Sequence, residues 1–166
     1  DRRIDMYLYD TTFDSLCNWY DDVYDYAPAY MFMRYFVDRF GEERIDDLIL
    51  CPQTGINCLY TISGISFDML LRDWLTAVMF DYLNYGSAPP EYLYRTLNLN
   101  TYTFNFASPG PLTVPDTAGA FVVLTNQTSV KNFTIILDGY SMFKVRLIMI
   151  PAPGAAFSRI SIRPGD

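Results

Sequence analysis

The 166-residue chain contains no histidine. That absence excludes a self-contained Ser-His-Asp or Cys-His centre, a His-ligated zinc and a histidine pH switch. Cysteine is scarce: Cys17, Cys51 and Cys58, with no CxxC spacing to support thiolate zinc or dithiol redox chemistry. No apolar run approaches the roughly 18 residues of a membrane helix. The longest, 142–150 and 121–124, have strand length. Positive charge is also sparse. Twelve Lys/Arg face 19 Asp/Glu, a net of −7, which argues against binding nucleic acid through phosphate contacts. The chain opens on Asp1 with no apolar leader after it, so the sequence reads as a processed product, an excised piece or a fragment.

Apolar and aromatic residues are abundant. Hydrophobic residues make up 51% of the chain, and there are 14 Tyr and 12 Phe. A domain of this length buries roughly two-thirds of its chain surface and needs no metal or disulfide to fold. The three thiols allow two arrangements. Cys51 and Cys58 are near enough in sequence to staple a loop, or all three are buried as small apolar residues. An odd count in a secreted protein leaves one thiol unpaired or bonded outside the chain.

The two parts of the chain differ. Residues 1–100 hold 16 Asp/Glu against 7 Lys/Arg, net −9; residues 101–166 hold 3 against 5, net +2. The first part has helical periodicity. Over 25–40, Tyr26, Tyr30, Met33, Val37 and Phe40 step by three or four and mark one face. Asp25 is the expected N-cap and Gly41 the expected stop. A short helix is expected over 42–50, then a loop at Pro52 and Gly55. A third helix is expected from Ser66 to about Leu83, burying Phe67, Leu70, Leu71, Trp74, Val78 and Tyr82.

The second part reads as strands at 101–106, 120–124, 132–137, 143–150 and 157–163, separated by Gly/Pro turns. The expected fold is therefore α+β: a helical subdomain over 1–95 and a small antiparallel β-sandwich or barrel over 96–166.

Candidate chemistry from single residues is thin. Asp21, Asp22 and Asp25 could offer oxygens to calcium, but they lack the EF-hand rhythm and read better as a solvated helix start. Glu42, Glu43, Asp46 and Asp47 read as an exposed helix face. Asn126 and Asn132 open N-x-T sequons. The aromatic residues could also serve a non-catalytic protein- or glycan-binding or adhesion module.

A longer pattern is more specific. It combines YAPAYMFMRYFVDRFG at 26–41, a short helix ending in LIL at 48–50, TISGISF at 61–67 and RDWLTA at 72–77. In this order and spacing it resembles the region downstream of the zinc site in gluzincin metallopeptidases, most closely the hyicolysin-like bacterial peptidases. The resemblance covers about residues 10–83. It implies that the helical part is like the C-terminal lobe of a zincin and that the parent protein is a secreted, periplasmic or cell-surface zinc metallopeptidase. Gluzincins hold zinc with the two histidines of HExxH and a downstream glutamate. The resemblance therefore implies zinc in the parent protein and none bound by this chain. The implied partners are an N-terminal catalytic segment and a protein or peptide substrate, with no nucleic acid and no membrane span. One catalytic residue carries over. In the related aminopeptidase branch, a tyrosine fifteen residues before a helix-ending glycine stabilises the oxyanion. Tyr26 stands at that separation from Gly41, although Ala27-Pro28 replaces the Lys-Gly of that branch. The other reading of Tyr26 is a core residue at the start of a helix.

Overall fold

A computed structural model of the chain describes residues 1–86, 88–108 and 112–123, together with the backbone of 132–137 and 159–164. It divides into two compact units, Asp1–Val123 and Leu124–Asp166.

Among its described residues the first unit contains five α-helices: α1 (Arg2–Tyr9), α2 (Tyr26–Phe40), α3 (Arg44–Leu50), α4 (Gly55–Ser63) and α5 (Phe67–Tyr82). The side chain of Asp1 caps α1 by accepting from the Arg3 N–H. Gly41 ends α2 with φ of 104°, and its N–H donates to the Val37 carbonyl at 2.8 Å. Gly64 ends α4 in the left-handed region, and Ser66 precedes α5 in an extended conformation.

The core lies among α1, α2 and α5. Ile4, Tyr7 and Leu8 meet Met31, Phe32, Tyr35 and Phe36, with Leu70, Trp74, Ala77 and Val78 completing the interior. Trp74 is fully buried, with Phe32 edge-on at 5.6 Å and Tyr7 stacked at 6.1 Å. The buried face of α2 is thus mostly not the one that periodicity picked, since of that set only Val37 is buried. Tyr26 and Tyr30 point to solvent, and Ala27, Met31, Phe32, Tyr35 and Phe36 face inward. Both faces are aromatic-rich, so hydropathy alone does not choose between them. The outward face carries Tyr26 and Tyr30, whereas Tyr35 is buried.

Helices α3 and α4 are peripheral. α3 buries no residue and α4 buries only Cys58. A disulfide joins Cys51, just after α3, to Cys58 on α4 (Cα–Cα 6.1 Å), while Cys17 is free and exposed.

The antiparallel sandwich or barrel expected over 96–166 is overturned. The described residues of 96–123 belong to the helical unit. Thr96 is tied to Asp38 of α2, and the Leu99 N–H to Asp81 of α5. The stretch 101–106 is not a strand. It begins in a 3-10 turn, Leu99–Thr101, and then runs extended with Phe104 and Phe106 packed on Tyr82 of α5. The alternation grouped these two rings correctly, but their partner is a helix face, not a neighbouring strand. The stretch 120–124 gives one bridge, Ala107 to Val122.

In the second unit, β1 (Asn132–Leu137) pairs with β2 (Arg159–Pro164) in parallel, with Asn132 opposite Arg159. Alternation identifies strands but carries no information on partner or direction. A parallel pair needs a crossover of about a dozen residues or more, and the sequence between β1 and β2 has that length. The strand expected at 143–150 lies outside the described residues.

Candidate functional site

Tyr26 is the first residue of α2 and is 52% exposed. Its ring takes an edge-on contact from Trp19 at 4.8 Å, and Trp19 is itself half exposed. Tyr26 is thus outside the core, with Gly41 at the opposite end of the same helix. The fifteen-residue separation is the length of α2, about 22 Å at 1.5 Å per residue.

The segment leading to Tyr26 is held by Asp25. That residue is 1% exposed, and its Oδ2 accepts from the backbone N–H groups of Tyr20 at 2.9 Å and Asp22 at 3.0 Å. Asp22 in turn accepts from the Tyr24 N–H, which closes the 3-10 turn Val23–Asp25. Asp25 is therefore neither a solvated residue nor the side-chain cap of α2. It is an internal clamp on the preceding turn, where Asp21 takes a positive φ of 63°. The calcium alternative finds no support, because no group of three or more acidic or thiol side chains among the described residues is arranged to hold a metal. Glu42, Glu43, Asp46 and Asp47 are exposed, as a solvated face requires.

The motif residues behind the peptidase resemblance have scaffold roles here. Arg39 of α2 meets Asp73 of α5 at 2.9 Å, and the same guanidinium donates to the Tyr35 hydroxyl. That hydroxyl donates to the Glu91 carbonyl. Asp38 accepts from the N–H groups of Arg95 and Thr96 at 2.8 and 3.1 Å, and from the Thr96 hydroxyl. The Trp74 indole N–H donates to the Tyr94 hydroxyl at 2.7 Å, which donates to the Met31 carbonyl at 2.9 Å. Burial pushes the Tyr94 and Tyr35 hydroxyls well above the usual phenol range, so both stay protonated as donors.

The chain has no histidine, and among the described residues no group of three or more Cys, Asp or Glu side chains is arranged to hold a metal. No family model, curated protein or solved structure matches the chain.

Sequence reasoning did not single out Asp14, which is buried between α1 and the Val23–Asp25 turn. The one available signal was its i, i+4 spacing from Asp10 within an aromatic stretch.

Proposed function

We propose that this chain is the C-terminal part of a secreted or periplasmic zinc metallopeptidase, in which Tyr26 donates a hydrogen bond to the oxyanion formed as the peptide bond is attacked. The observation that carries this reading is the placement of Tyr26. Its phenol stands at the solvent-exposed start of a helix whose interior is rigidly packed, instead of filling the core. A positioned phenol aimed at developing negative charge stabilises a tetrahedral intermediate. The Asp25 clamp and the Trp19 contact restrict the backbone and ring that would present it. Zinc and its ligands would belong to the part of the enzyme outside this chain.

The test is on the parent gene product. Its sequence should carry HExxH upstream of Asp1, and its proteolysis should be chelator-sensitive. Tyr26→Phe should lower kcat by about 10²- to 10³-fold with little change in KM. A parent without HExxH, or a fully active Tyr26→Phe enzyme, would sink the proposal.

A second reading also draws support. Phe13, Trp19, Tyr20, Tyr26 and Tyr30 are all exposed on one stretch of chain, which suits a non-catalytic module that binds protein or glycan. An inactive parent whose ligand binding falls when Trp19 and Tyr20 are replaced by alanine would favour that reading.

A further inference from the structure

Four aspartates are buried in the first unit: Asp14, Asp25, Asp38 and Asp73. Three have partners. Asp25 and Asp38 each accept two backbone N–H groups, and Asp73 pairs with Arg39. Asp14 is different. It is 4% exposed and lines a cavity of about 240 Å³ between α1 and the Val23–Asp25 turn; no protein donor among the described residues bonds its carboxylate, whose oxygens keep a little exposure.

The surroundings deepen the deficit. The hydroxyl of buried Tyr7 and Oδ1 of Asp25 also lack a hydrogen-bond partner. Asp10 and Asp22 line the same cavity, and no Lys or Arg does. Burial, followed by the nearby charges of Asp25, Asp22 and Asp10, pushes the Asp14 carboxyl above its usual range. A buried carboxylate without a donor is costly, and clustering three more acids around it raises the cost. A cation entering the cavity removes that penalty. Tyr9, Phe13 and Tyr24 supply aromatic walls suited to holding an organic cation by its π-contacts.

We propose that this cavity binds one organic cation, a guanidinium or ammonium group carried by an arginine or lysine side chain or by a free amine. A bare metal ion is disfavoured, since the carboxylates are not arranged as a coordination shell. The volume is below the roughly 300 Å³ at which drug-sized sites begin, which matches a single side chain. The inference does not rest on the peptidase reading, and its test needs no catalysis.

The test is calorimetric titration of the 166-residue chain with Nα-acetyl-arginine amide, Nα-acetyl-lysine amide, the neutral isostere Nα-acetyl-citrulline amide, agmatine and calcium chloride. Arginine or lysine amide should bind, with citrulline amide at least about tenfold weaker, the worth of one good charged contact. Agmatine matching the amides would assign recognition to the cationic head alone; weaker agmatine would assign it to a peptide side chain. Asp14→Asn should weaken binding about tenfold while melting no lower than the parent chain. Should that variant fail to fold, Asp10→Asn at an exposed position should still weaken binding severalfold. Citrulline amide binding as well as arginine amide, calcium binding in place of every organic cation, or unchanged affinity in both variants would overturn the proposal.

Discussion

Arg39 and Asp73 meet at 2.9 Å between α2 and α5, with side chains only 15% and 6% exposed. Breaking a buried pair from one side strands the other charge, which costs about 3–5 kcal/mol. Arg39→Met should therefore destabilise the chain by about 3 kcal/mol in urea titration, toward the low end because the guanidinium is not fully enclosed. The double variant Arg39→Met with Asp73→Leu should recover part of that loss. A single-variant change under about 1 kcal/mol would show that the pair contributes little.

The Tyr94 hydroxyl bridges Trp74 and the Met31 carbonyl inside the core. Tyr94→Phe removes the bridge and leaves a buried indole N–H without its acceptor. A loss of about 2 kcal/mol is expected from chemical denaturation. By contrast, Tyr26→Phe should move stability by no more than about 0.5 kcal/mol, because Tyr26 is half exposed.

Asp38 holds the N–H groups of Arg95 and Thr96. Asp38→Ala should speed hydrogen exchange at those two amides by at least about tenfold while leaving the interior of α2 protected. Uniform acceleration across α2 would mean that Asp38 supports the helix and not the loop.

Alkylation under native, non-reducing conditions should label one cysteine, Cys17, and labelling after reduction should reach all three. Opening a short loop of this kind costs about 2.5 kcal/mol in the chain-entropy account. The loss should appear as exposure of α3 and α4, which contribute little to the core. Labelling of Cys51 or Cys58 without reductant would count against the bond.

The raised Asp14 carboxyl sets a pH signature. A folded-state pKa above the unfolded value means that the folded chain holds the proton more tightly. Its penalty is absent below the unfolded value near 3.8, grows as pH rises to the folded value, and is complete above it. Asp14→Asn should therefore melt higher than the parent chain at pH 7, with the gap closing toward pH 4. A gap that stays constant with pH would remove the titration from the explanation.

The features legible in the sequence were local. Gly41 and Ser66 mark helix ends and both do so in the fold, although the Ser66 side chain makes no capping bond. Leu70, Trp74 and Val78 were expected in the core and lie there. Helix α4 was hidden because Pro52 and Gly55 signal a turn, and Gly55 is the first residue of that helix. Asp38 and Asp73 were illegible because their burial depends on partners brought from distant segments, and Asp14 because no partner marks it at all. Asp38 gains its donors from residues nearly sixty positions away. The antiparallel module failed for the same reason, since Phe104 and Phe106 found Tyr82 of α5 in place of a strand. Tyr26 was named from spacing, and its exposure became known only once the buried face of α2 was fixed by Trp74 and Leu8.

The Asn105 N–H donates to the Leu8 carbonyl at 3.1 Å, joining α1 to a segment roughly a hundred residues later. Closing so long a loop costs about 4 kcal/mol in chain entropy before any contact repays it. Tyr7 of α1 also reaches Trp74 of α5 across a wide gap in sequence, whereas α2 follows α1 closely. The pairing of α1 with the Asn105 segment is therefore expected late, after α1 has seated on its near neighbour α2. Asn105→Pro, which removes the donor of that pairing, should then accelerate unfolding far more than it slows refolding, so the lifetime of the native state depends on the contact that forms last.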